Sequence, residues 1–200
     1  MNTNNTIGEK IHLKHKICVF GAAESSHCAE DALRKAEEIG KEIAQKNCVL
    51  ICGAESGIPL WAAKGTKEAG GITVGLSPAF SEVEHISQYK LPIENFDLII
   101  YTGFQRSGRN LFLVRAADAV VIICGRRGTL NEFTIAFEDN MPIGVLTGTG
   151  GTADLIQEIV EKGHRGEGRI VYDSDPKKLL EKLIKMVEED KKVVEKTAQK

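Results

Sequence analysis

Apolar positions fall into short unbroken runs, separated by longer stretches in which they recur every three or four residues. The runs are Lys16 to Gly21, Cys48 to Cys52, Ile72 to Leu76, Phe96 to Tyr101, Ala119 to Ile123, Ile143 to Leu146 and Ile170 to Tyr172. Unbroken runs of this length predict strands buried on both faces. Between them, Ala29, Leu33, Ala36, Ile39 and Ile43 share one face of a predicted helix from about Cys28 to Lys46. Further helices are predicted over Pro59 to Ala69, ended by Gly70-Gly71, over Arg109 to Ala117 and over Ala153 to Lys162. Asp175-Pro176 opens a last helix by cap and first-turn proline, with Leu179, Leu180, Leu183, Ile184 and Val187 inward. Ser81-Glu82-Val83-Glu84 predicts a short capped helix inside the looser stretch between Pro78 and Pro92.

Six or seven strands alternating with helices predict an α/β fold: a doubly wound, mainly parallel sheet with right-handed crossovers, in a single domain. That domain is placed at residues 13–190. The polar segment 1–12 is expected to be flexible, and the lysine-rich tail 191–200 to fray. The sequence contains no internal repeat or low-complexity segment.

The period changes from strand to helix within a few residues at Ala119-Val120-Val121-Ile122-Ile123-Cys124-Gly125-Arg126-Arg127-Gly128-Thr129-Leu130-Asn131-Glu132. The first N–H groups of a helix have no partner inside it, and the helix dipole adds positive charge there. A phosphate can therefore dock against Gly125, Gly128 and Thr129, with Arg126 and Arg127 as added cations. The same residues also read as a capping box, in which Thr129 caps the helix and Glu132 reaches back to its N–H. Both readings stand at this point.

In doubly wound sheets ligands bind at the carboxyl ends of the strands. Four turns of small residues follow strands here: Gly21 to Ala23, Gly53 to Gly57, Gly125 to Gly128 and Gly148 to Gly151. Their convergence favours a phosphate or nucleotide site, with Gly21, Ala22, Gly53 and Gly57 as further contacts. The first turn lacks G-x-G-x-x-G, which disfavours a nicotinamide dehydrogenase, and the absence of G-x-x-x-x-G-K-[ST] disfavours a P-loop hydrolase.

A chain with 42% hydrophobic and 27% charged residues can bury a full core. Its net charge of −2 gives no footprint for a nucleic-acid polymer, and no segment suggests a membrane span. The N-terminus lacks the apolar core of a signal peptide, so a cytoplasmic setting is expected. Cys18, Cys28, Cys48, Cys52 and Cys124 show no paired C-x-x-C spacing and are expected to be free thiols, mostly buried. His12, His15, His27, His85 and His164 form no metal spacing. No metal and no cofactor are expected.

Gly53-Ala54-Glu55-Ser56-Gly57, Ala62-Ala63-Lys64-Gly65 and Ala69-Gly70-Gly71-Ile72-Thr73-Val74-Gly75 resemble the glycine-rich half of the LOG (Lonely guy) family. The central turn is similar to that family's P-G-G-x-G-T-x-x-E signature, matched at Gly125, Gly128, Thr129 and Glu132. Arg109 stands where the family has the arginine of its R-K pair. The resemblance runs from about Lys16 to Gly151 and is nearest to the SLOG branch once labelled possible lysine decarboxylase, although nothing here marks a pyridoxal-phosphate lysine. It implies a Rossmann-like nucleotide-binding fold, often dimeric or of higher order. In active members it implies hydrolysis of the N-glycosidic bond of nucleoside 5′-monophosphates. Cys124 replaces the signature's proline, Arg126 its second glycine and Asn110 the lysine of the R-K pair, so binding carries over better than turnover.

Breaking a ribosyl bond builds positive charge on the sugar, which calls for a carboxylate near the ribose and a firm hold on the 5′-phosphate. Glu132 and Arg109 are the catalytic candidates, Glu132 facing the sugar and Arg109 binding phosphate or assisting the leaving base. The sequence thus reads as a phosphoribohydrolase or, in the alternative, as a module that holds or senses a small-molecule nucleotide without cleaving it.

Overall fold

The seven apolar runs become strands, of which those from Ala119 and Ile143 are buried on both faces while Leu98 and Ile100 stay exposed at the sheet edge. In the computed structural model, which describes residues 13–198, these are β1 (Lys16–Gly21), β2 (Val49–Cys52), β3 (Ile72–Ser77), β4 (Leu98–Tyr101), β5 (Ala119–Ile123), β6 (Ile143–Leu146) and β7 (Ile170–Asp173). The N-terminal segment 1–12, with His12, and the last two residues of the expected tail lie outside the described residues. All pairings are parallel, in the order β4-β3-β2-β1-β5-β6-β7. The order reverses between β1 and β5, and a doubly wound sheet opens a crevice at such a reversal.

The helices are α1 (Ala32–Gln45), α2 (Ile58–Glu68), α3 (Glu82–Ser87), α4 (Gln105–Arg115), α5 (Arg127–Glu138), α6 (Ile156–Gly163) and α7 (Pro176–Ala198), with a 3-10 turn at Gly151–Leu155. Strand alternation divides the core in two. Ile17, Val19, Val121 and Ile123 pack with Ile39 and Ile43 of α1, Ile58 of α2 and Leu179 and Leu183 of α7. Cys18, Phe20, Val120 and Ile122 pack with Leu113 of α4, Phe133 of α5 and Ile156 of α6 on the other face. α1 crosses α2 on glycine: a Cβ at Gly40 would overlap the Ala62 carbonyl, and one at Gly65 the Glu37 carbonyl.

Several expected boundaries move, three of them at the site. α1 begins at Ala32, because residues 22–31 form a loop held by hydrogen bonds to other loops, including Ala29 N–H to Thr149 O at 3.0 Å. α4 begins at Gln105, which places Arg109 one turn inside the helix instead of at its start. α5 begins at Arg127 with Arg126 as its N-cap residue and no side-chain cap, so the Thr129 to Glu132 capping box does not form. The caps at Ser81, accepting from Glu84 N–H, and at Asp175, accepting from Lys178 N–H, do form. Among the described residues no helix is long and apolar enough to cross a membrane.

Candidate functional site

The β1/β5 crevice holds a cavity of about 260 Å³. The end of β1 and its turn (Gly21 to Glu24), the β2 turn (Gly53, Glu55), the inner face of α4 (Arg106, Arg109, Asn110) and the start of α5 (Arg126, Gly128, Thr129, Glu132) line it. Of the residues singled out in the sequence, Gly21, Ala22, Gly53, Arg109, Arg126, Gly128, Thr129 and Glu132 are thus brought together.

Gly57, Gly125 and Arg127 do not line the cavity. A Cβ at Gly57 would overlap the Ala22 carbonyl, which accepts the Ile58 N–H at 2.9 Å, so this glycine lets the β2 turn pack against the β1 turn. Gly125 has a φ of +100° and sits against Thr129 inside the β5–α5 turn. Arg127 is exposed in the first turn of α5. The fourth glycine turn stands behind the site. Thr149 Oγ1 accepts from Cys124 N–H at 2.9 Å, Thr152 N–H reaches the Gly125 carbonyl at 3.0 Å, and Ala153 N–H the Cys124 carbonyl at 2.9 Å.

The floor of the cleft is built around Arg109, which is only 3% exposed. Its Nη1 donates to the Gly53 carbonyl at 2.7 Å and to the Leu76 carbonyl at 3.0 Å, and its Nη2 lies 3.6 Å from Glu55. Arg106, one helical turn back, also pairs with Glu55. The buried Arg109 Nε has no hydrogen-bond partner among the described residues. Glu132 is 7% exposed, and burial pushes its carboxyl up to about 8, against the pull of Arg109, so the group holds its proton at neutral pH. With its nitrogen turned inward, the Asn110 amide donates to Glu132 Oε1 at 3.1 Å and to the Arg106 carbonyl at 2.9 Å.

Arg126 bridges the mouth, pairing with Glu24 and donating from Nε to His27 Nδ1 at 3.2 Å. Three arginines therefore line the cleft against Glu24 and Glu55, with Glu132 uncharged. Beside the mouth, Cys28 and Cys124 are joined in a disulfide, which corrects the expectation of five free thiols. They lie 96 residues apart, and only the pairing of β1 with β5 brings their loops together. Cys18, Cys48 and Cys52 are free and buried. His27, Cys28 and Cys124 form a cluster of metal-ligating type, their ligand atoms within 4.8 Å of one another, but its two sulfurs are bonded to each other.

Glu55, Arg106, Glu24 and His27 were not singled out in the sequence. An acidic residue within a glycine turn after a strand, and arginines at i and i+3 of one helix, were the available signals for Glu55 and Arg106.

The family model of the SLOG cluster4 family matches residues 14–180. The chain belongs to the SLOG cluster4 family. An uncharacterized protein of Archaeoglobus fulgidus is 29% identical to this SLOG cluster4 chain over 131 residues, 66% of this chain and 81% of the relative. Among solved structures, TM1055, a structural-genomics target, superposes with a TM-score of 0.71 at 25% identity, covering 88% of this chain and 99% of that one. The molybdenum cofactor carrier protein of Chlamydomonas reinhardtii superposes with a TM-score of 0.68 at 27% identity, covering 87% of this chain and 98% of that one. These likenesses bear out the Rossmann-like α/β fold and the SLOG resemblance.

Proposed function

We propose that this SLOG cluster4 protein binds a small phosphorylated molecule, a nucleotide or a cofactor of similar size, in the β1/β5 cleft and holds it intact. The observation that carries this reading is the buried Arg109 with its unpartnered Nε in the same cleft as the buried Glu132, whose carboxyl is pushed up by burial. A buried cation short of acceptors calls for an anion. The uncapped start of α5 supplies free N–H donors to the same cleft, and a helix N-terminus favours negative charge. An uncharged carboxyl stabilises cationic charge on a ribose poorly, which favours holding over cleavage. The likeness to a molybdenum cofactor carrier supports the same reading, since that protein is a carrier of a small-molecule cofactor.

A second reading, the phosphoribohydrolase, is favoured by one observation: Arg109 and Glu132 meet in the cleft beneath the first turn of α5. Glu132 would then act as a proton donor, or ionise once the ligand is in place. In either reading the partner is a small molecule in a cytoplasmic setting and not a nucleic-acid polymer, and the protein pairs with further copies of itself. Exposed Phe80, Leu98, Ile100, Phe104 and Phe112 along the β4 side of the molecule supply an apolar face for that pairing.

Calorimetry with a panel of nucleoside mono-, di- and triphosphates and with molybdenum cofactor, followed by chromatography for free base, tests the proposal. One ligand bound per chain, with no base released, is the expected result. Base release transfers the case to the hydrolase, and failure of every phosphorylated ligand to bind overturns both readings.

A further inference from the structure

The Cys28–Cys124 disulfide ties the loop after β1 to the turn that opens α5. Its two sulfurs are placed unequally. Cys124 is fully buried at the end of β5, where its backbone has a φ of +52°, whereas Cys28 is half-buried in the loop 22–31. An incoming thiolate therefore meets the Cys28 sulfur, and Cys124 becomes the leaving sulfur.

The neighbouring His27 is oriented for that departure. Arg126 Nε and Nη2 stand 3.2 and 3.1 Å from His27 Nδ1, and a guanidinium has hydrogens to give and no lone pair to offer. His27 Nδ1 is thus the acceptor, which places the hydrogen of the neutral ring on Nε2. That nitrogen lies 3.5 Å from Cys124 Sγ and 3.3 Å from the Gly125 carbonyl. The ring presents a proton to the buried sulfur where a metal site would require a lone pair.

We propose that Cys28–Cys124 is a reversible thiol-exchange site, opened by a dithiol reductant at Cys28 with His27 donating a hydrogen bond to the departing Cys124 sulfur. The reductant's first thiolate bonds to Cys28 Sγ as the Cys28–Cys124 bond breaks. The electron pair leaves on Cys124 Sγ, where the hydrogen bond from Nε2 stabilises the thiolate until a proton from solvent converts it to the thiol. The reductant's second thiol, as thiolate, then attacks its own sulfur in the mixed disulfide and releases Cys28 as a thiolate that solvent protonates. Two electrons pass from the dithiol, now a disulfide, to the protein, now carrying two thiols. The reverse sequence with a disulfide oxidant closes the bridge. His27 acts through the sulfur it faces and is a positioning residue of this site alone.

The test uses the full chain in its oxidised form, treated with dithiothreitol at neutral pH and followed by alkylation and mass spectrometry under native conditions. Two new thiols, at Cys28 and Cys124, are expected while circular dichroism stays native. Glutathione should leave its mixed disulfide on Cys28 and not on Cys124. His27→Ala should slow opening about tenfold or more, the scale of one lost hydrogen bond to a charged sulfur, and His27→Gln, which keeps an N–H, should restore part of the rate. Wild-type chain equilibrated in glutathione redox buffers gives a reading that needs no variant to fold, and a reversible transition confined to these two cysteines is expected. Alkylation only after denaturation would make the bridge purely structural and overturn the proposal. So would failure of oxidised glutathione to form the bridge, or a reduced chain that holds one zinc ion through these residues and resists oxidation.

Discussion

Arg109 lies directly on Gly53. Its Nη1 donates to the Gly53 carbonyl at 2.7 Å, and a Cβ added at Gly53 would overlap that same nitrogen. The glycine is therefore required by the arginine, whatever its own backbone conformation. Gly53→Ala should cost about 1–3 kcal/mol of stability, the range for overpacking, and should weaken binding of phosphorylated ligands by displacing the guanidinium. Gly163→Ala is the control, since a Cβ there meets nothing within 4 Å. Denaturant melts and calorimetry on both variants measure the difference, and equal behaviour would show that Arg109 relaxes freely.

Burial of Glu132 makes a signed prediction for pH. Its carboxyl is raised to about 8 in the folded chain and returns to its ordinary range near 4.5 on unfolding. Between those values the native state binds more protons than the unfolded one, so stability falls as pH rises through the window. The steepest slope attributable to this one group is about 1.4 kcal/mol per pH unit. Glu132→Gln, neutral throughout, should flatten that component and be the more stable protein at pH 9. Urea denaturation of both at pH 5, 7 and 9 gives the comparison. Parallel curves would place Glu132 in water.

Gly65→Ala and Gly40→Ala should each destabilise the fold, because the added methyl group meets helix backbone and not a movable side chain. The expected loss is about 1–3 kcal/mol or more, equivalent to roughly 2–4 °C in melting temperature per kcal/mol for a chain of this size. Scanning calorimetry reads it. Unchanged melting would mean that α1 and α2 slide apart without cost.

The exposed Phe104 and Phe112 rings stack at 5.0 Å on the β4 side of the molecule. If that face meets a second copy, Phe112→Glu should convert the oligomer to a folded monomer in sedimentation velocity, with little change in circular dichroism. A wild-type chain that sediments as a monomer removes the proposed pairing.

Much of the fold was legible because β1, β5 and β6 are continuous apolar runs that only a doubly covered strand explains, and the expected limits of β1 match those observed. The start of α4 was not legible, because Gln105 enters the helix with a φ of +56° and Phe104 provides no side-chain cap. Thr129 and Glu132 satisfy the letter pattern of a capping box, yet α5 starts three residues earlier than that pattern requires. Both side chains are then buried facing the cleft instead of closing the helix end. The disulfide left no local trace, since Cys28 and Cys124 become neighbours only once strand order is known. Glu55 pairs with arginines from another part of the chain, which no spacing within its own turn announces.

The adjacency of β1 and β5 also governs when the cleft can come into being. Lys16 N–H donates to Asp118 Oδ2 at 2.8 Å across 102 residues, and the whole β1/β5 seam spans a comparable separation. Closing a loop of that length costs entropy before any contact returns it, and such non-local pairings slow folding. During synthesis β1 to β4 emerge while the seam still lacks its second wall, and the start of α5 arrives only after β5. Ligand capture therefore reports a finished sheet, and a chain truncated before Glu132 would keep three of its glycine turns incomplete as a site, however well its first strands pair.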